Sequence, residues 1–220
     1  MCGIVGYIGH RNASLVVLSS LKRLEYRGYD SAGIVVNCDG NLLSWKKAGK
    51  ISALESIVDC HSLNEARVAI GHTRWATHGA PTDENAHPHS DCTGELYIIH
   101  NGIIENYKDL KEVLLKRGHT FKSETDTEVV VHLVEEYHKE LPLLDAVLHA
   151  LSHVEGSYAI VLMSKKEPER LIAARKGSPM ILGIGDGEMV IASDASAIVD
   201  YTRNVVYLED GEIIEVKRDG

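Results

Sequence analysis

From Ser157 onward the chain is written in short apolar runs separated by turns too brief to hold a crossover helix. The runs are Ser157–Met163, Leu171–Arg175, Met180–Ile184, Met189–Ser193, Val205–Leu208 and Glu212–Val216, and glycine and aspartate fill turns such as Gly185-Asp186-Gly187 and Asp210-Gly211. A parallel neighbour needs a connection of a dozen or more residues, whereas an antiparallel one closes through a few. The spacing therefore predicts antiparallel sheets. Ser31–Cys38 and Asn41–Ala48 repeat the pattern around Asp39-Gly40, a favoured two-residue hairpin turn. Further strands are expected at Cys2–Gly6, at Val68–Arg74 and at Glu95–His100, the last ending at Asn101-Gly102.

Helical spacing clusters in the middle of the chain. Ala13–Arg27 carries Leu15, Leu18, Leu21 and Leu24 as an apolar stripe, with Gly28 as a stop, and a short helix is expected over Ser52–Val58. Asn106–Arg117 carries Tyr107, Leu110, Val113 and Leu114 on one side, Thr125–Glu140 carries Val130, Leu133, Val134 and Tyr137, and Leu143–Val154 follows. Strands with hairpin-length links and helices gathered apart from them predict an α+β fold in one domain, residues 1–220: two antiparallel sheets face to face, with helices on the outer faces.

A net charge of -9 and a pI near 5.7 argue against a nucleic-acid surface, which needs a basic face. No apolar run reaches the length of a membrane span and no secretory leader opens the chain, so the expected setting is cytoplasmic, with no membrane partner. Cys2, Cys38, Cys60 and Cys92 lie far apart with no Cys-x-x-Cys pair, which is neither a zinc framework nor a disulfide scaffold. The last three read as core or surface thiols.

Cys2 is different, because removal of Met1 would leave it with a thiol and a free α-amine. An α-amine titrates at about 7.7–8.0, against about 10.4 for lysine, so near neutral pH it can take the thiol proton and later return it to a leaving group. The competing reading is an inert cysteine in an N-terminal strand. Asn101-Gly102 is open in the same way: a hairpin turn, or a carboxamide and an N–H that stabilise an oxyanion. Arg74, with Thr77 three residues on, suits bidentate capture of a carboxylate, or belongs to a solvated loop. Asp126 sits among capping patterns (Thr125 with Glu128, Ser123 with Asp126), or receives an ammonium group. Arg27 reads as a helix C-terminus. Among His72, His78, His87, His89 and His100, the pair His87-Pro88-His89 raises a metal alternative, but no carboxylate or cysteine stands at ligand spacing from it.

Six stretches, in order, carry a resemblance: Cys2-Gly3-Ile4-Val5-Gly6, Leu24 to Gly33, Gly71-His72-Thr73-Arg74-Trp75-Ala76-Thr77-His78-Gly79, Asn85-Ala86-His87-Pro88-His89, His100-Asn101-Gly102, and Ser123 to Glu128. Together they resemble the glutaminase domains of the glutamine–fructose-6-phosphate aminotransferase family, class II amidotransferases of amino-sugar biosynthesis, over essentially the whole chain. Glutamine phosphoribosylpyrophosphate amidotransferases share the Cys-Gly-Ile start and the asparagine, but Glu25-Tyr26-Arg27-Gly28-Tyr29-Asp30 and Thr73 to His78 resemble the sugar-phosphate branch.

The resemblance implies the N-terminal-nucleophile hydrolase fold, a four-layer αββα sandwich. It implies Cys2 as nucleophile, Asn101 and Gly102 as oxyanion donors, and Arg74, Thr77, His78, Asp126 and Gly102 around bound L-glutamine. Residues 74–81 would close over the substrate, with Trp75 at the gate of an ammonia path and Arg27 and His87 shaping the site. No metal or organic cofactor is implied. The isomerase half that binds fructose 6-phosphate in such enzymes is missing from this chain, which reads as an isolated domain or a fragment, and the full-length enzyme is expected to be a homo-oligomer. A silent glutamine-binding module is the non-enzymatic alternative.

Overall fold

The computed structural model describes residues 2–75 and 79–218; Met1, whose removal would free the Cys2 α-amine, lies outside them. The first sheet has seven strands in the order β11-β9-β10-β1-β4-β2-β3. These are β1 (Gly3–Gly9), β2 (Ser31–Cys38), β3 (Asn41–Ala48), β4 (Val68–Arg74), β9 (Ile181–Ile184), β10 (Glu188–Ala192) and β11 (Val205–Tyr207). The second has five, in the order β12-β8-β7-β6-β5: β5 (His89–Ser90), β6 (Leu96–Ile104), β7 (Gly156–Ser164), β8 (Glu167–Lys176) and β12 (Ile213–Lys217). Every ladder between these strands is antiparallel, as the short links require. Positive φ at Asp39 (51°) and Gly40 (78°) makes the β2–β3 turn the tight hairpin its sequence predicts.

Three apolar clusters stack these elements into four layers. Helix α1 (Ala13–Leu24) and the short α2 (Ile51–Glu55) bury Val17, Leu21, Leu24, Ile51 and Leu54 against one face of the first sheet. Ile4, Ile8 and Ile70 meet Ile99, Val161 and Leu171 between the sheets. Helices α3 (Tyr107–Lys116), α4 (Thr127–His138) and α5 (Leu143–Leu151) cover the outer face of the second sheet through Leu114, Val130, Val134 and Val147. The fold is the expected αββα sandwich. No helix among the described residues is long and apolar enough to cross a membrane.

Several local expectations change. Leu15 is 52% exposed while Val17, Leu18, Leu21 and Leu24 are buried. A strict three-residue spacing lags the helix by about 60° per step, so Leu15 and Leu24 face opposite ways. Helix α1 also ends at Leu24, and Glu25–Arg27 tighten into a 3-10 turn before Gly28. Val113 is exposed, the buried line of α3 running through Tyr107, Leu110 and Leu114. Strand β6 does not stop at Asn101-Gly102 but continues to Ile104, with Asn101 opposite Ala159 and Gly102 opposite Tyr158.

Candidate functional site

Cys2 stands at the open end of β1, in the middle of the first sheet. The chain beyond it is fixed by two side chains: Gly3 N–H donates to Thr73 Oγ1 (3.1 Å) and Ile4 N–H to Ser193 Oγ (3.0 Å). The Cys2 sulfur accepts the Trp75 N–H at 3.1 Å. Burial pushes the thiol pKa up, outweighing the lowering by the Trp75 N–H and by Arg74. At neutral pH the resting group is therefore a thiol, and nucleophilic use of it requires a base.

Asn101 and Gly102 face Cys2 from the second sheet. The Asn101 Nδ2 donates to the Cys2 carbonyl (3.1 Å), and its Oδ1 lies 2.9 Å from His72 Nε2. His72 is fully buried, and burial takes its pKa down to about 3. The ring is neutral, its Nε2 carries the proton, and the donation fixes which way the Asn101 amide points. One Nδ2 hydrogen remains for a ligand. Gly102 has φ 134° inside a strand, and a Cβ there would overlap the Ser157 carbonyl oxygen. Only glycine carries β6 through this point.

Arg74 ends β4 with its guanidinium buried, donating from Nη1 to Ala80 O and from Nη2 to Gly79 O, both at 3.2 Å. It thus ties down residues 79 and 80 and lines the cavity. Asp126 makes no capping bond at the start of α4; its Oδ2 crosses to β6 and accepts the Ile104 N–H at 2.7 Å. The capping patterns resolve differently, because Glu128 accepts from the N–H groups of Lys122 and Ser123 and from the Ser123 hydroxyl. Arg27 lies in the 3-10 turn and donates to Ser193 O and Asp194 Oδ2. Trp75 is 53% exposed, standing on Gly28, where a Cβ would come within 2.9 Å of the Trp75 Cβ. Thr77 and His78 lie outside the described residues.

Cys2, Arg27, Arg74, Trp75, His87, Asn101, Gly102 and Asp126 thus line one cavity of about 240 Å³. His100, Thr125, Thr127, Ser178 and Pro179 complete its wall; in the sequence His100 and His72 are singled out only among the histidines of the metal alternative, and Thr125 only as a capping residue. Thr127 Oγ1 bridges His87 Nε2 (2.9 Å) and His100 Nδ1 (2.8 Å), and Thr125 Oγ1 meets His89 Nε2 (3.0 Å). The rings of His72 and His87 are 4.2 Å apart, those of His87 and His89 4.5 Å. Burial lowers the pKa of all four histidines, His72, His87, His89 and His100. Among the described residues, the group of side chains that converges as metal ligands includes neither His87 nor His89. The arrangement offers a nucleophile, an oriented carboxamide, a guanidinium and a carboxylate, the complement of a zwitterion carrying an amide.

A glutamine amidotransferase domain profile matches residues 59–216. Over its whole length the chain is 53% identical to the glutamine–fructose-6-phosphate aminotransferase (isomerizing) of Chlorobaculum tepidum and 54% identical to that of Pyrococcus horikoshii, covering 36% and 37% of them. It spans little more than a third of the length of these curated relatives. Among solved structures, a glutamine phosphoribosylpyrophosphate amidotransferase from B. subtilis superposes with a TM-score of 0.86 at 30% identity, covering all of this chain and 48% of that one.

Proposed function

The chain belongs to the glutamine amidotransferase domain family, and on that premise we propose that it hydrolyses L-glutamine to glutamate and ammonia through a thioester on Cys2. The observation that carries this reading is the convergence of Cys2, Asn101, Arg74 and Asp126 on one cavity. Arg74, with Thr77 and His78, receives the substrate α-carboxylate, and Asp126 the α-ammonium. The Cys2 thiol gives its proton to its own α-amine once Met1 is removed, and the sulfur bonds to the side-chain amide carbon. The oxygen of the tetrahedral adduct takes hydrogen bonds from Asn101 Nδ2 and the Gly102 N–H. The carbon–nitrogen bond then breaks as the α-ammonium protonates the departing nitrogen. Water attacks the thioester, releasing glutamate and restoring the thiol.

The relatives' names add an acceptor, fructose 6-phosphate. We assign the ammonia made here to glucosamine 6-phosphate synthesis, with the sugar phosphate bound by isomerase domains outside these residues and Trp75 at the gate between them. The full-length enzyme is a homo-oligomer in the same proposal. Identity of 53% to aminotransferases, against 30% to the phosphoribosylpyrophosphate enzyme, supports this branch. A cytoplasmic setting is supported by four free cysteines.

The test is glutamate release from glutamine by the purified chain, with intact mass to establish loss of Met1. Turnover is expected, and Cys2→Ser should abolish it while leaving glutamine binding. A folded, Met1-free protein with no turnover would overturn the proposal.

A further inference from the structure

Cys92 follows β5, His119 lies in the turn between α3 and α4, and His132 and Glu135 stand one helical turn apart on α4. In sequence they are scattered, Cys92 being 27 residues from His119 and His119 13 from His132, which hides them from any search for ligand spacing. In space, Cys92 Sγ, His119 Nδ1, His132 Nδ1 and Glu135 Oε2 all converge. The sulfur is 3.5 Å from one imidazole nitrogen and 3.6 Å from the other, and the two nitrogens are 3.2 Å apart. The carboxylate oxygen is 2.9 Å from each nitrogen.

The two sulfur–nitrogen separations match edges of a coordination tetrahedron, and the nitrogen–nitrogen one comes close. The 2.9 Å carboxylate distances are shorter, so Glu135 must draw back to ligate. With zinc–nitrogen bonds of about 2.0–2.1 Å and a zinc–sulfur bond of about 2.3 Å, tetrahedral ligand atoms stand roughly 3.3–3.6 Å apart. The outward nitrogens give a second reason. His119 Nε2 is 2.9 Å from Glu136 Oε1, and a carboxylate accepts from that nitrogen only when it bears a proton. In a neutral ring Nδ1 is then a lone pair, aimed at another imidazole nitrogen, a sulfur and a carboxylate oxygen. Four electron-rich atoms facing one point call for a cation between them. His132 Nε2 is buried without a hydrogen-bond partner, 3.7 Å from Glu128 Oε1, the place for the proton when Nδ1 binds metal. A carboxylate behind a ligating histidine is the usual support of a metal ligand.

We propose that Cys92, His119, His132 and Glu135 bind a structural zinc ion. One thiolate, two imidazoles and a carboxylate form a borderline-soft tetrahedral set with no position left open for substrate. His119 and His132 are buried and Cys92 is exposed, so the ion enters from the Cys92 side. The metal takes no part in amide hydrolysis, and its binding is independent of the function proposed above. It ties the segment after β5 and the α3–α4 turn to α4, the helix whose first turn carries Thr127 and follows Asp126. His132 is five residues past Thr127, about 7.5 Å of helix rise.

The test is metal analysis of the whole chain after gel filtration and zinc reconstitution. A single zinc per chain is expected, lost in Cys92→Ala, a substitution at an exposed site that leaves the core intact. Glu136→Gln should retain the ion with about 10–100-fold weaker affinity. Cobalt substitution should give the intense visible bands of a tetrahedral site and a thiolate charge-transfer band that Cys92→Ala lacks. A chelator should lower the melting temperature of the wild type but not of Cys92→Ala. Folded wild type that takes up no zinc, with a melting temperature indifferent to chelator, would show a metal-free ion-pair network and overturn the proposal. Equal zinc in wild type and Cys92→Ala would overturn the ligand set.

Discussion

Asp126 and Asn101 act at different points of the proposed reaction, and single substitutions separate them. Asn at position 126 keeps an oxygen to accept the Ile104 N–H but removes the charge that meets the substrate ammonium. Losing a hydrogen bond to a charged group costs about 1.5–3 kcal/mol, so Asp126→Asn should raise KM roughly 10- to 100-fold with a smaller change in kcat. In the proposed reaction Asn101 donates to an oxyanion that exists only during turnover. Asn101→Ala should therefore lower kcat by roughly 10²–10³ with KM near normal. Steady-state glutaminase kinetics on both variants check the division, and a normal kcat in Asn101→Ala would remove Asn101 from the oxyanion site.

At the scale of elements, Gly102 decides whether β6 can pass the site. Its φ of 134° and the Ser157 carbonyl beside it exclude a side chain, so Gly102→Ala should destabilise the protein by about 1–3 kcal/mol or more, read as a fall in the urea midpoint. The histidine layer between β4, β5, β6 and α4 makes a second prediction. His72, His87, His89 and His100 have folded pKa values below the ordinary 6.5, His72 at about 3, chiefly through burial. The unfolded chain takes up protons below about pH 6.5 that the folded chain refuses, so unfolding free energy rises with pH in this range. Stability should be fully present above about pH 6.5 and decline as pH falls from there toward 3; a melting temperature flat between pH 7.5 and 5 would contradict it. The strands, helices and antiparallel pairing were legible because period and turn chemistry are local signals. Asn101-Gly102 misled as a strand end because the pair that favours a hairpin is equally a glycine that lets a strand bend past a neighbour. The parts that stayed hidden, His72 behind Asn101 and Asp126 reaching Ile104, depend on which strands lie opposite one another.

For the whole molecule, the glutamine cavity proposed above, set within little more than a third of the relatives' length, predicts a separable half-reaction. This chain supplied with glutamine and fructose 6-phosphate should release ammonia and form no glucosamine 6-phosphate, measured by amino-sugar analysis; finding the amino sugar would place the acceptor site within these residues. The position of β1 between β4 and β10 bears on how the protein is made. The Ile4 amide waits for Ser193, 189 residues downstream, and at roughly 5–20 residues per second that partner leaves synthesis some 10–40 seconds later. Until then the first strand lacks one of its two neighbours. The central strand of the first sheet is thus made first and completed late, when β10 arrives.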